Sequence, residues 1–177
     1  MSPELSVINS LQTDIDFIFY LFDSAIEYQR QRGYNLWPQF ARSLIETEIN
    51  EKRHFKIIFR DEIVCVFSVL YSDPVIWMER DKDPAVYLHR IAVRPAYKGK
   101  QTMTVIREWA IAHAKEKQKQ YVRMDTWGNN EQLRKYYSHC GFNYLGQQFL
   151  NIPEGMPAHY GGTELSLFEI SADNYPG

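Results

Sequence analysis

Residues 86–100 carry the sequence VYLHRIAVRPAYKGK, in which an apolar run passes through a proline turn into a short basic loop. The run Val86–Val93 predicts a β-strand, and Gly99 stands between two lysines beyond the turn. An amphipathic helix is predicted to begin directly afterwards, at Gln101. Because the first amides of a helix lack carbonyl partners and carry the positive end of the helix dipole, this junction is typical of a site that binds phosphate oxygens.

Two other interpretations compete with a phosphate site at this junction. A nucleotide-binding P-loop requires glycine at position 94 and serine or threonine at position 101, whereas the chain has Arg94 and Gln101. A solvated helix start that binds nothing is the simpler alternative, since a single glycine between lysines is not a specific motif. The junction therefore needs support from elsewhere in the chain.

Length and composition predict one globular domain over residues 1–177. The chain has 177 residues, 45% of them hydrophobic and 24% charged, and it shows no internal repeat or linker. No apolar run approaches the roughly 20 residues that span a bilayer, and no signal peptide is recognisable, so we expect a cytoplasmic protein that does not enter a membrane. Cys65 and Cys140 have neither metal-site nor disulfide-scaffold spacing, and we expect both to be reduced.

Charge is unevenly divided along the chain. The net charge is −2, but Arg90–Lys135 holds 11 Lys and Arg against 4 Asp and Glu, while the rest holds 9 against 18. Some of these cations are expected simply to solvate helix faces. The alternative is an anionic ligand near the start of the basic segment. Nucleic acid is not predicted, because the domain lacks both a recognisable binding motif and an overall basic excess.

Hydrophobic periodicity predicts the element order β-α-α-β-β-β-α-β-α-β-β, which indicates a mixed α/β domain with at least one parallel crossover. The predicted helices run from a cap at Thr13 to Gly33, from Pro38 through Ile49, from Gln101 to about Gln118, and from Asn130 to Cys140. The predicted strands are Leu5–Ile8, Phe55–Arg60, Ile63–Leu70 with an extension around Val75–Met78, Val86–Val93, Tyr121–Thr126, Phe142–Leu150 and Thr163–Ile170.

A second motif, Asn-x-x-Leu-x-x-x-Tyr-x-x-x-Gly-Phe, spans residues 130–142. Seven residues make nearly two helical turns, so Asn130 and Tyr137 are predicted to share one helix face. In this motif and in Val93–Gly99, the chain resembles the GCN5-related N-acetyltransferase (GNAT) superfamily. The match in motifs extends from Tyr87 to Phe142, and the predicted element order extends it more loosely over nearly the whole chain.

The resemblance implies a single GNAT domain of α/β (α+β) class, with a central mixed, mostly antiparallel sheet flanked by helices. It implies acetyl-CoA as the cofactor and transfer of the acetyl group to an acceptor, most often a small-molecule or peptide amine. The amine attacks the thioester directly, so no enzyme nucleophile is required. Dimers are common among proteins resembling this family.

The resemblance also assigns roles to individual residues. The backbone near Ala92 pairs with the pantetheine arm, the loop that starts at Lys98 holds the pyrophosphate, and Asn130 contacts the cofactor. Tyr137 lies beside the sulfur, where its hydroxyl protonates or hydrogen-bonds the departing thiolate. The implied cofactor-binding residues are Ile91, Ala92, Val93, Lys98, Gly99, Lys100, Gln101, Thr102, Met103, Asn130 and Tyr137.

The chain departs from the family's usual loop, Gln/Arg-x-x-Gly-x-Gly/Ala. Lys98 replaces the first residue, Gln101 the middle glycine and Met103 the final small residue. The two larger side chains are expected to narrow the approach to the pyrophosphate, and the lysines to compensate by charge. These departures motivate the alternative of a catalytically inactive acyl-CoA-binding or regulatory module.

Two residues are candidates for the base that takes the acceptor's proton. A lysine-like amine is mostly protonated at pH 7, and presenting its free base costs about 4.6 kcal/mol. His89 lies in the strand beside the expected thioester and has a suitable ordinary pKa, although a structural histidine in the sheet is an equal alternative. Glu79 is the rival, with a solvated loop carboxylate as its simpler interpretation. Members resembling histone acetyltransferases place a glutamate where this chain has Tyr87.

Aromatic side chains at loop and strand ends are candidates for the wall of an acceptor pocket. They are Tyr34, Trp37, Trp77 and Trp127. An ordinary aromatic core is the alternative, since 15% of the residues are aromatic. The sequence leaves the acceptor open among polyamines, amino acids, antibiotics and protein termini.

Overall fold

Seven strands and five helices occur in the residues that the computed structural model describes, which are 4–99, 101–150 and 164–173. The strands are β1 Ser6–Asn9, β2 His54–Phe59, β3 Glu62–Leu70, β4 Ala85–Val93, β5 Tyr121–Trp127, β6 Asn143–Phe149 and β7 Glu164–Ser171. The helices are α1 Ile15–Arg32, α2 Arg42–Asn50, α3 Pro74–Trp77, α4 Thr102–Glu116 and α5 Glu131–His139. None of these five helices is long and apolar enough to cross a bilayer.

The strands form a sheet in the order β1-β2-β3-β4-β5-β7-β6. The ladders of β1 with β2, β2 with β3, β5 with β7 and β6 with β7 are antiparallel. β4 and β5 are parallel, and α4 is the crossover between them. The predicted α/β class, the mostly antiparallel sheet and the parallel crossover are therefore confirmed.

The chain divides into two compact units, and the first comprises the described residues of 4–69 and 89–109. Its core forms where α1 and α2 each present an apolar stripe and β3 and β4 each contribute an inward-facing apolar residue. The buried residues of this cluster are Ile15, Ile18, Leu21 and Phe22 from α1, Ile45 and Ile49 from α2, Val66 from β3 and Ala92 from β4. A second packing contact joins Trp109 to Phe55 and Phe67, with ring centroids 4.4 and 5.1 Å apart.

The second unit comprises the described residues of 70–88 and 110–173. Its core cluster consists of Ile76, Trp77, Ala85, Tyr87, Leu150, Leu165 and Leu167. The prediction of one domain over residues 1–177 stays a prediction.

A buried arginine, Arg123, forms several hydrogen bonds and ion pairs within this second unit. The Arg123 side chain is 1% exposed and donates hydrogen bonds to Asp83 at 2.7 Å and Glu169 at 2.8 Å. It also donates to the carbonyl of Arg80 at 2.6 Å. The guanidinium lies 4.9 Å from the ring centroid of Trp77. Burial of this charge is thus balanced by two carboxylates, a carbonyl and an aromatic face.

The second predicted helix begins later than expected. Pro38 was predicted to open it, but α2 starts at Arg42. Contacts with α1 hold the preceding segment: the Trp37 amide donates to the Gln29 side chain at 2.8 Å, and the Trp37 ring packs edge-on against Phe22. These contacts favour a non-helical segment before α2 over a longer helix.

Two local predictions were also wrong. The strand extension around Val75–Met78 is instead the short helix α3, followed by a 3-10 turn, because Pro74 suits a helix start and cannot donate to a strand ladder. The predicted cap at Thr13 is wrong because Asp14 accepts the Leu11 amide at 2.7 Å and a 3-10 turn precedes α1. The predicted stop of α1 is confirmed, since Gly33 follows with φ +67°.

The buried His54 on β2 makes the stability of the first unit depend on pH. Its Nδ1 lies 2.8 Å from the Ser10 hydroxyl, and burial lowers its pKa from 6.5 to about 4. His54 therefore becomes protonated near pH 6.5 in the unfolded chain but only near pH 4 in the folded chain. We expect the free energy of unfolding to fall by up to about 3 kcal/mol as the pH drops through this window. Urea titrations between pH 4 and 7 measure it.

Glutamine is the matched variant for this test, because it retains a hydrogen-bonding group without titrating in that range. His54→Gln should flatten the pH dependence between pH 4 and 6.5, whereas His139→Gln, at an exposed position, should leave it unchanged. An equal slope in wild type and His54→Gln would contradict the assignment.

Candidate active site

Strand β4 changes conformation along its length. Its parallel ladder with β5 pairs Ala85–Leu88 with Tyr121–Met124 and ends there. Arg90 then has φ +50°, a left-handed conformation that is uncommon for a residue other than glycine. Residues 91–93 continue β4 past this point. They are the residues expected to pair with the cofactor's pantetheine arm.

The loop after β4 is compact and contains an open glycine. A 3-10 turn over Pro95–Tyr97 leads to Gly99, which has φ +76°. No heavy atom lies within 4 Å of the position that a Cβ would occupy on Gly99. The backbone here is therefore open to close approach by a ligand.

Helix α4 begins just beyond this glycine. The Val105 amide donates to the Gln101 carbonyl at 3.1 Å, so the amides of Met103 and Thr104 lie within the first turn of the helix. In a helix of 15 residues these amides carry the positive end of the dipole. A glycine open to ligand beside such a helix start fits the diphosphate of a coenzyme.

Two of the three departures from the expected loop, Gln101 and Met103, leave this geometry intact. Gln101 takes the place of a glycine yet keeps a left-handed backbone, with φ +44°, and its side chain is exposed. Met103 is 6% exposed, so its side chain lies in the interior rather than over the amides of the helix start. The expected narrowing by Met103 is therefore not observed. Lys100 lies outside the described residues.

Lys98 makes a contact that the sequence did not predict. Its ammonium lies 3.2 Å from the ring centroid of Tyr28, in the last part of α1, and the Arg32 guanidinium lies 5.1 Å from the same ring. Burial, and then the charge of Arg32, lower the pKa of Lys98. The ammonium of Lys98 is thus half-buried against an aromatic ring. The backbone amides of Gly99 and the start of α4 are therefore the more direct partners for phosphate.

Helix α5 carries the second motif. The Asn130 side chain caps the helix by accepting the Leu133 amide at 3.1 Å. Tyr137 lies in the last turn, where its ring packs 5.3 Å from that of Phe168 and 6.4 Å from that of Phe142. Asn130 thus defines the start of α5, and contacts with Phe142 and Phe168 hold the Tyr137 ring at its end.

The two candidate bases differ in their surroundings. His89 is half-buried in β4, and its carbonyl accepts a hydrogen bond from the Ser68 hydroxyl at 3.4 Å. Glu79 lies on the 3-10 turn after α3, with its side chain 86% exposed and ion-paired to Lys82. Glu79 is therefore solvated and neutralised by a neighbour, whereas His89 is held within the sheet.

Tyr87 is a hydrogen-bond donor in this structure. Its hydroxyl donates to the Asp81 carboxylate at 2.6 Å, and burial and this bond raise its pKa. Cys65, in β3, is fully buried, and burial raises the pKa of its thiol. Neither side chain is suited to accept a proton or attack a substrate near neutral pH.

The four aromatic candidates fall in different surroundings. In the first unit, Tyr34 packs edge-on to Tyr28, and Trp37 packs against the core. In the second unit, Trp77 is 2% exposed and belongs to the core, while Trp127 is half-buried at the edge of the same core. The burial of Trp77 favours a packing role for this residue.

Sequence reasoning missed a buried ionic group beside β4. Glu48, on α2, is 1% exposed and forms an ion pair with Arg90, which also donates to the Ser68 hydroxyl at 2.9 Å. A signal was present, because Glu48 lies three residues after Ile45 and one before Ile49, on the apolar face of the helix.

Comparison with known proteins identifies a family. The model of the acetyltransferase (GNAT) family matches residues 20–142, more than half of the chain. The uncharacterized N-acetyltransferase YesJ of Bacillus subtilis is 24% identical over 141 residues, covering 75% of this chain and 78% of YesJ.

Solved structures agree on the fold. A GNAT-family acetyltransferase from Listeria monocytogenes aligns with a TM-score of 0.73 at 21% identity, covering 96% of this chain and 95% of its own. The yncA protein of Salmonella typhimurium, a putative acetyltransferase solved with its cofactor acetyl-CoA, aligns with a TM-score of 0.66 at 12% identity. The alignment covers 98% of this chain and 96% of yncA. At these identities the two structures establish the architecture alone.

Proposed function

Because the chain belongs to the acetyltransferase (GNAT) family, we propose that it transfers the acetyl group of acetyl-CoA to an amine that attacks the thioester directly. Membership makes acetyl-CoA the cofactor. The observation that carries the assignment to this chain is the turn into α4, where Gly99 and Gln101 are left-handed and the amides of Met103 and Thr104 open the helix. When bound, acetyl-CoA supplies an activated acyl group.

We assign cofactor binding to backbone more than to side chains. The amides at the start of α4 would hold the diphosphate, and the backbone of residues 91–93 would pair with the pantetheine arm as an added strand. Lys98 contributes less than its charge suggests, since its ammonium lies on the Tyr28 ring. Asn130 would contact the cofactor through the side chain that also caps α5.

Tyr137 is the proposed proton donor to the departing thiolate. A tyrosine hydroxyl is a proton donor, and tyrosine is one of the side chains that act as general acids. Its ring is held by Phe168 and Phe142, which limits the positions that the hydroxyl can take. This restriction favours a positioned acid over a mobile surface tyrosine.

His89 is the proposed base for the acceptor amine. It is preferred to Glu79 because the Glu79 carboxylate is exposed and already paired with Lys82. A protonated histidine cannot accept the amine's proton, so kcat/KM of the wild type, expressed per unprotonated amine, should fall toward acidic pH. We expect His89→Gln to flatten this acidic limb, measured from pH 5.5 to 9 at limiting amine.

Glu79→Gln is the comparison for this profile. It should keep the acidic limb of the wild type. A limb that persists in His89→Gln and disappears in Glu79→Gln would transfer the role to Glu79.

The alternative of an inactive acyl-CoA-binding module is motivated by Gln101 and Met103, whose side chains are larger than those of the family's usual loop. Gln101 keeps the left-handed backbone and Met103 is buried, so the described residues of this turn do not favour that alternative.

An acceptor screen with detection of the free CoA thiol tests the function. The panel should include polyamines, amino acids, an aminoglycoside and peptide N-termini, with acetyl-CoA binding measured by calorimetry on the same sample. We expect binding, and thiol release with at least one amine class. Binding without release across the panel would support the inactive module. A folded protein that binds neither CoA nor acetyl-CoA would contradict the proposal.

A further inference from the structure

Arg90 holds an unfavourable backbone conformation at the centre of β4. Its φ of +50° places an arginine in the left-handed region, which glycine tolerates and other residues adopt only when their surroundings impose it. The parallel ladder with β5 ends two residues earlier, at Leu88. The left-handed residue thus marks the place where β4 leaves that ladder and its last three residues begin.

The Arg90 side chain is held from three directions within the first unit. Glu48 on α2 forms an ion pair with it, and the Ser68 hydroxyl on β3 accepts from it at 2.9 Å. The ring of Phe40 lies 5.4 Å from the guanidinium carbon. Because Glu48 is 1% exposed, its carboxylate depends on Arg90 for compensation of its charge.

Ser68 links this side chain to the backbone next to it. Its hydroxyl accepts from the Arg90 guanidinium and donates to the carbonyl of His89 at 3.4 Å. The hydroxyl therefore fixes the peptide just before the left-handed residue and the side chain of that residue together. Ser68 itself is fully buried in β3, so its own position is set by the sheet.

We infer that Glu48 and Ser68 are positioning residues that hold Arg90 left-handed, and so present the backbone of residues 91–93 to the cofactor. The inference rests on the proposed function, because it concerns the strand to which we assign the pantetheine arm. An ion pair that served packing alone would be replaceable by apolar residues of similar size, often with a gain in stability. One Glu48 oxygen has no hydrogen-bond partner among the described residues, which agrees with a pair that serves conformation more than stability.

Two double variants separate this role from general stability. In Glu48→Gln/Arg90→Gly and Glu48→Gln/Arg90→Ala both buried charges are removed, and the variants differ by a single Cβ. Glycine adopts the left-handed conformation freely, whereas alanine does not. We expect the glycine variant to bind acetyl-CoA within about threefold of wild type and the alanine variant about tenfold more weakly, the latter equivalent to ~1.4 kcal/mol.

Single variants complete the series. Ser68→Ala removes the hydrogen bonds of Ser68 to Arg90 and to His89 at once. Its affinity for acetyl-CoA should lie between those of the two double variants. Glu46→Gln is the matched control on the same helix, since its side chain is 44% exposed, and it should bind as wild type does. Dissociation constants are measured by calorimetry at a temperature where circular dichroism shows every variant folded.

Equal affinities of the glycine and alanine variants would overturn the inference. The backbone angle at residue 90, obtained from NMR couplings or crystal structures of both variants, is an independent measurement. We expect a positive φ in the glycine variant and an extended backbone in the alanine variant, and a positive φ kept in both would also overturn it. A wild type that binds no acetyl-CoA would contradict the proposed function, and the backbone angle would then decide the inference alone.

Discussion

Replacing Tyr137 by phenylalanine should lower kcat by about 100-fold or more, because a positioned acid contributes about 10²–10⁴-fold to such a transfer. Phenylalanine keeps the ring contacts with Phe168 and Phe142, so α5 and its packing should not change. The dissociation constant for acetyl-CoA should stay within about twofold, since binding is assigned mainly to backbone at β4 and α4. Steady-state kinetics at saturating acetyl-CoA, together with calorimetry, measure both quantities.

Tyr136→Phe is the matched control, because Tyr136 is the preceding residue on α5 and is 45% exposed. It should leave both kcat and cofactor affinity unchanged. Turnover of Tyr137→Phe equal to wild type would remove the proton-donor assignment. Loss of acetyl-CoA binding in Tyr137→Phe would instead indicate that the hydroxyl holds the cofactor.

Arg123→Met should destabilise the protein by about 3–5 kcal/mol, the range for breaking a buried ion pair from one side. Methionine fills much of the space of the arginine stem but cannot donate to Glu169, whose side chain is 17% exposed, or to the Arg80 carbonyl. The variant also loses the contact with the Trp77 ring. Chemical unfolding, followed by circular dichroism, gives the change as a shift in midpoint.

Arg42→Met makes the same substitution at an ion pair on the surface, where the arginine side chain is 57% exposed and its partner Asp16 is 90% exposed. Exposed pairs contribute little, so the unfolding midpoint of this variant should remain near that of wild type. A similar, small shift in both variants would show that Arg123 is not the main polar support of the second unit.

Much of the fold was predictable because local patterns and tertiary packing agree there. The apolar stripe of α1 and the glycine after it defined that helix, and the run at residues 86–93 defined β4. Predictions failed where a tertiary contact decided the outcome. The Trp37 segment stays outside the helix through contacts with Gln29 and Phe22 of α1, which no local pattern around Pro38 reveals.

The candidate site shows the same division. Motif spacing predicted a glycine turn leading into a helix at this point, and Gly99 does precede α4, because turn and helix-start signals are local. The contact of Lys98 with Tyr28 and the ion pair of Arg90 with Glu48 join residues far apart in sequence, and pairing of that kind is invisible to a pattern read along one chain. The left-handed angle at Gln101 was likewise hidden, since glutamine carries no preference for it.

The parallel pairing of β4 with β5 has a consequence for folding kinetics. The β2–β3 hairpin forms across a tight turn, so its closure costs little chain entropy. The ladder between Ala85–Leu88 and Tyr121–Met124 forms only after the chain has looped through all of α4. Contacts of such long sequence separation slow the search for the native state. Strand β4 is therefore expected to pair with β5 late, after the β2–β3 hairpin has formed.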